Sequence, residues 1–116
     1  MTTNDMVWLA FGAIFAWMVV SKILAARKRI PGEQARKHVA DGAQLVDVRT
    51  SGEYASGCLK GSKNIPLHEL KSRLTELDKG KPVVVYCRSG MRSASARKVL
   101  EGASFTVYDV GPMHAY

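Results

Sequence analysis

Val83-Val84-Val85-Tyr86-Cys87-Arg88-Ser89-Gly90-Met91-Arg92-Ser93 reads as a buried strand, a tight loop and the start of a helix in immediate succession. The helix-forming stretch Ala94 to Leu100 follows directly. This order places a thiol at the mouth of a helix N-terminus, where unpaired backbone N–H groups and the helix dipole favour negative charge. With Arg88 and Arg92 beside it, Cys87 is expected to act as a thiolate, the nucleophilic form of cysteine. Gly90 and the small hydroxyl residues Ser89 and Ser93 let the loop curl so that its N–H groups point inward as an anion cradle. Burial of a small hydrophobe at a strand end is the plain alternative for Cys87. It accounts for neither the two arginines nor the glycine.

Outward from this loop the chain alternates in type. Gly32 to Ala40 has helical composition after the Ile30-Pro31 break, and Gly42 ends it before a strand over 44–48. Leu67, Leu70, Leu74 and Leu77 recur at helical spacing and are expected to face the core. Lys79-Gly80-Lys81-Pro82 turns the chain into the strand 83–86, whose unbroken apolar character suits the centre of a parallel sheet. A helix over 92–100 closed by Gly102 and a strand over 105–108 complete an α/β pattern with a central parallel sheet. Sheets of this kind place their chemistry at the carboxyl ends of the central strands, which is where Cys87 stands.

These motifs together resemble the rhodanese-like family of sulfurtransferases. The likeness rests on Leu45-Val46-Asp47-Val48-Arg49 followed by Glu53-Tyr54, on Gly57, Gly61 and Asn64-Ile65-Pro66, and on the Cys87 loop running into Ser93-Ala94-Ser95-Ala96. It continues through 105–110 to Gly111-Pro112-Met113-His114-Ala115-Tyr116, so that residues 31–116 follow the family order. The chain departs from the family at Cys58, where His is frequent, and at Gly111-Pro112 and Tyr116, where Gly-Gly and Trp are frequent. The resemblance implies a rhodanese-like parallel sheet flanked by helices, Cys87 as a persulfide-forming nucleophile, and donor binding by Arg88, Ser89, Gly90, Met91, Arg92 and Ser93. Asp47 and Arg49 would brace the loop structurally. The short spacing Cys-x4-Arg resembles the sulfur-transferring members, since phosphatase and arsenate-reductase relatives use a loop one residue longer. The implied reaction moves sulfane sulfur from thiosulfate or a similar small anionic donor to cyanide or a thiol acceptor, without a cofactor. Two other readings remain: a non-enzymatic tethered docking module, and a persulfide relay to a protein partner.

The N-terminal part is of another kind. Every residue from Met6 to Val20 is apolar or Gly, and the run resumes after Ser21-Lys22 as Ile23-Leu24-Ala25-Ala26. About 21 such residues make a helix of roughly 30 Å, enough for one transmembrane crossing. Trp8 and Trp17 suit interfacial anchoring, and Lys22 can snorkel toward the head groups. A cleaved signal peptide would carry its basic residues first, whereas here Asp5 precedes the run and Arg27-Lys28-Arg29 follows it. A buried core helix would need more interior than the remaining 87 residues provide. The chain therefore divides into an anchor with its basic flank, 1–29, and a rhodanese-like domain, 30–116. The basic flank places that domain in the cytoplasm, in contact with anionic lipid.

Charge and cysteine content narrow the function classes. Residues 30–116 hold 13 basic and 9 acidic residues, a modest surplus that would attract a small anion. No basic stripe with interleaved aromatics appears, which argues against nucleic-acid binding. Cys58 and Cys87 are 29 positions apart and lack CxxC or His/Cys spacing, so no metal site is expected. Cys58 reads as a bystander beside a turn, and His38, His68 and His114 form no triad, with His114 at most at a pocket rim.

Overall fold

The computed structural model describes residues 2–116, with the side chains of residues 25–27 left aside. Its elements run α1 (Thr3–Arg27), α2 (Gly32–Ala40), β1 (Gln44–Asp47), α3 (Ser51–Ala55), β2 (Lys63–Asn64), β3 (Val83–Cys87), α4 (Met91–Gly102) and β4 (Val107–Pro112). Short 3₁₀ segments cover Leu67–Ser72, Leu74–Glu76 and Met113–Ala115. The four strands form one parallel sheet in the order β2-β1-β3-β4. The fold is the expected central parallel sheet with helices on its faces, preceded by one long apolar helix.

Strand β3 is buried along its full length, and its side chains alternate between two cores. Val83, Val85 and Cys87 face the cluster made with α4 and the 3₁₀ segments, where Leu70, Ala96, Leu100 and Phe105 pack. Val84 and Tyr86 face the opposite cluster with Ala35, Leu45 and Val110. The period of two along a strand sends neighbouring residues to opposite faces. Cys87 and Tyr86 consequently work on different sides of the sheet.

Three local differences from sequence expectation have physical causes. The leucines of 67–77 do face the core, but on 3₁₀ turns rather than an α-helix, with Arg73 breaking the run at φ −119°. The last strand begins at Val107 instead of 105 and continues to Pro112, with an irregularity in its pairing where Val85 faces Asp109 but Tyr86 faces Gly111. Helix α4 starts one residue earlier than 92, because Gly90 takes the left-handed φ of 96° and releases Met91 into the first turn.

Helix α1 is exposed throughout its described side chains apart from partial cover at Ser21. Thr3–Leu24 is long and apolar enough to cross a membrane, and none of it is buried in the domain.

At the end of β1 the Asp47 carboxylate receives the Arg49 guanidinium at 2.7 to 3.1 Å through three contacts, both residues being buried. Arg49 Nη2 also donates to the Gly57 carbonyl at 2.6 Å, so the pair fastens the 56–62 turn to the sheet. A buried ion pair contributes little net stability when intact, yet removing one partner strands the other charge. Asp47→Ala should lower the unfolding free energy by about 3–5 kcal/mol in urea denaturation; a loss near that of a surface substitution would show that the pair is not a structural brace.

Candidate active site

The site is assembled where β3 ends. Cys87 is fully buried, and the next two residues, Arg88 and Ser89, emerge to the surface before Gly90 returns to the interior. The Gly90 N–H donates to Cys87 Sγ at 2.9 Å. Gly90 has a positive φ, a conformation that a side chain would strain, and from it the chain enters α4. The sulfur is thus held against an unpaired donor at the N-terminus of a 12-residue helix, where the backbone partial charge is positive. A backbone donor and a helix N-terminus so arranged suit a negatively charged group at this position.

The remaining loop residues take distinct positions. Met91 is exposed on the first turn of α4, while Ser93 is fully buried and its hydroxyl donates to the Gly90 carbonyl at 3.2 Å. The Ser93 side chain thereby ties the loop to the first turn of α4. Arg92 is half-buried and makes a two-pronged pair with Glu53, Nη1 to Oε1 at 2.6 Å and Nη2 to Oε2 at 3.0 Å. Such planar fork geometry fixes the guanidinium. Glu53 is itself held in a capping box with Thr50 at the start of α3: Thr50 Oγ1 accepts from the Glu53 N–H, and Glu53 Oε1 accepts from the Thr50 N–H. The Arg92 hydrogen bond, and behind it the capping donors, hold the Glu53 carboxyl down to about 2.

Beside Arg92 opens a cleft of about 280 Å³ lined by Val48, Thr50, Pro66, Leu67, His68 and Arg92. It is large enough for a small anion. Arg92 is the loop residue that lines it, whereas buried Cys87 does not.

On the other sheet face Tyr86 closes the support. Its hydroxyl accepts from the Leu59 N–H at 3.1 Å and donates to Ser62 Oγ at 3.0 Å, and burial pushes it up to about 12, which keeps it protonated. With Arg49 it pins the turn carrying Cys58. Cys58 is exposed and Cys87 buried, and both are free thiols. His38 stacks on Tyr108 at 3.9 Å, while His68 and His114 are exposed. Asp47 and Arg49 lie together at the strand end that neighbours Cys87's own strand.

Two acids near the loop have partners that motif spacing does not give. Glu53 is the partner of Arg92, and the local signal for its fixed side chain is the capping pattern Thr50-x-x-Glu53. Asp109 is fully buried within β4, signalled only by an acid inside an otherwise apolar strand.

Comparison with known proteins identifies the family and the fold. Residues 32–111 match the rhodanese-like domain family. The chain is 36% identical over 100 residues to an uncharacterized protein, YqhL, of Bacillus subtilis, covering 84% of this chain and 79% of the relative. It is 40% identical over 84 residues to the thiosulfate sulfurtransferase GlpE of Pseudomonas syringae, covering 72% and 79%. Among solved structures, a rhodanese-like domain protein from Staphylococcus aureus superposes with a TM-score of 0.67 at 30% identity, over 76% of this chain and 89% of that one.

The Glu53 carboxyl also sets an acid response. Its folded value lies below that of the unfolded chain, so the pair stabilises the fold above about pH 4.5 and the contribution is lost as pH falls toward 2. Glu53→Gln should show a shallower decline in thermal midpoint across that window than the unmodified chain, and equal slopes would remove the pair from the acid response.

Proposed function

The chain belongs to the rhodanese-like domain family, and on that premise we propose that it is a membrane-anchored sulfurtransferase working through a persulfide on Cys87. The carrying observation is the Gly90 N–H at 2.9 Å from Cys87 Sγ, at the mouth of α4. Thiosulfate is the proposed donor, in keeping with the named activity of the GlpE relative. Its sulfonate oxygens face Arg92 and its outer sulfur faces Cys87. The Cys87 thiolate attacks the outer sulfur, the S–S bond of thiosulfate breaks, and sulfite leaves with the bonding electron pair. Loop N–H groups and the helix dipole stabilise the charge on the departing sulfite and on the enzyme persulfide. A nucleophilic acceptor, cyanide or a thiol, then attacks the outer persulfide sulfur and returns Cys87 to the thiolate.

In this reading Arg88, Ser89, Gly90, Met91, Arg92 and Ser93 bind the donor, chiefly through the loop backbone and Arg92, while Asp47 and Arg49 brace the site. Helix α1 spans the bilayer once. The flank Arg27-Lys28-Arg29 holds the domain on the cytoplasmic side, a reducing compartment that suits a free nucleophilic thiol. One observation favours a protein thiol as acceptor: outside α1, Met91 is the exposed large hydrophobic residue among the described residues, and it stands on the first turn after the loop. A partner cysteine could dock there, which makes persulfide relay the second reading.

Incubation of the full chain in detergent with thiosulfate should add one sulfur to Cys87, read by intact mass and peptide mapping. Cys87→Ser should gain none, and sulfur gain in that variant would sink the assignment. Arg92→Ala should raise the half-saturating thiosulfate concentration about tenfold, the scale of a lost charged hydrogen bond; an unchanged dependence would remove Arg92 from donor binding. Alkaline carbonate washing should leave the chain, with residues 1–29 still attached by mass, in the membrane pellet, whereas release or loss of that segment would overturn the anchor.

A further inference from the structure

Arg29 lies two residues beyond the end of α1, yet it is already part of the sheet. It bridges in parallel to Asp109 of β4, and the adjacent Ile30 N–H donates to the Asp109 carbonyl at 2.9 Å. From this edge its side chain occupies space left open by two glycines. A Cβ on Gly111 would stand 2.6 Å from Arg29 Nε, and one on Gly90 would collide with Nη2 and stand 2.6 Å from Cζ. Both glycines have positive φ, 81° and 96°, so neither position readily accepts a side chain. The guanidinium is clasped between Gly111 of β4 and the loop residue whose N–H donates to Cys87 Sγ.

Beneath this clasp lies a buried carboxylate. Asp109 Oδ1 accepts the Gly111 N–H at 2.8 Å. Among the described residues Asp109 Oδ2, Arg29 Nε and Arg97 Nε are buried without hydrogen-bond partners. Burial pushes the Asp109 carboxyl up, and the charges of Arg29 and Arg97 are among the influences that oppose this. Charge and close contact therefore hold Arg29 in its seat. A planar, permanently charged guanidinium suits a slot walled by two glycine backbones, and a lysine ammonium would supply the charge without the plane.

We propose that Arg29 is a positioning residue for the chemistry at Cys87, acting through Gly90 by fixing the N–H that faces the sulfur. The basic residue that leaves the membrane helix is then also the residue that sets the nucleophile loop, so anchor and active site are joined through one side chain. This inference rests on the reading of Cys87 as the persulfide-forming nucleophile.

The test uses the full chain in detergent as wild type, Arg29→Lys and Arg29→Ala, with thermal midpoints taken in parallel. Sulfur gain on Cys87 from thiosulfate is followed by quenched intact-mass measurement. Arg29→Lys should lower the limiting rate about tenfold, the scale set by misplacing one charge-stabilising donor. The half-saturating thiosulfate concentration should move less than about twofold, because Arg29 does not line the cleft beside Arg92. A limiting rate in Arg29→Lys equal to wild type overturns the proposal, as does a change confined to half-saturation. If Arg29→Ala folds, a rate loss that merely matches its unfolded fraction also overturns it; if it does not fold, the lysine variant decides alone. Should wild type itself gain no sulfur, the donor reaction has failed, and iodoacetamide alkylation of Cys87 decides this proposal separately. Alkylation several-fold slower in Arg29→Lys would support it, and equal rates would overturn it.

Discussion

A parallel strand buried on both faces constrains everything around it. Strand Val83–Cys87 has no exposed residue, so each side chain must be packed by an element on one face or the other. Helix α4 and the 3₁₀ turns cover one face, and α2 with the C-terminal segment covers the other. The strand can end only by handing the chain to a helix on one of those faces, and the shortness of that connection brings Cys87 under the N-terminus of α4. The placement of Cys87 is thus a consequence of burial, with Gly90 in the left-handed conformation where α4 begins.

Electrostatics at the site is arranged in pairs rather than as a diffuse positive field. Arg49 is held by Asp47, Arg92 by Glu53, and Arg29 and Arg97 approach Asp109. Pairing reduces the net pull of these cations on a distant anion, but it fixes their positions. For a small donor that must be oriented against a buried sulfur, fixed direction matters more than total charge. The modest basic surplus of the domain agrees with this pairing, in which the Gly90 N–H faces the Cys87 sulfur and Arg92 lines the neighbouring cleft.

Membership in the rhodanese-like family brings sulfur transfer as the shared chemistry, and this chain adds an apolar helix in front of it. The two parts meet at Arg29, the last residue of the expected anchor region and the first to bridge to the sheet. A flexible tether would leave helix and domain mechanically independent. Here the connection between α1 and the sheet is Lys28 alone, and the residue after it is wedged against Gly90 in the loop that follows Cys87.

Local sequence was sufficient for features governed by local rules. The apolar run of β3, the Cys-x4-Arg loop, the helix after it and the long N-terminal helix each follow from near-neighbour chemistry and were legible as written. Asp47 and Arg49 were legible as a strand-end motif, whereas their ion pair with each other is a finding of the structure. The 67–77 segment misled because leucine spacing is common to α and 3₁₀ turns, and the choice depends on the packing beneath. Long-range partners were not legible at all. Nothing near Arg92 in the chain names Glu53, 39 positions away, and nothing near Arg29 names Asp109 or the two glycines that admit its side chain. Those choices belong to the folded chain, because parallel strands bring together residues distant in sequence, and only their packed register decides which charges share a buried space.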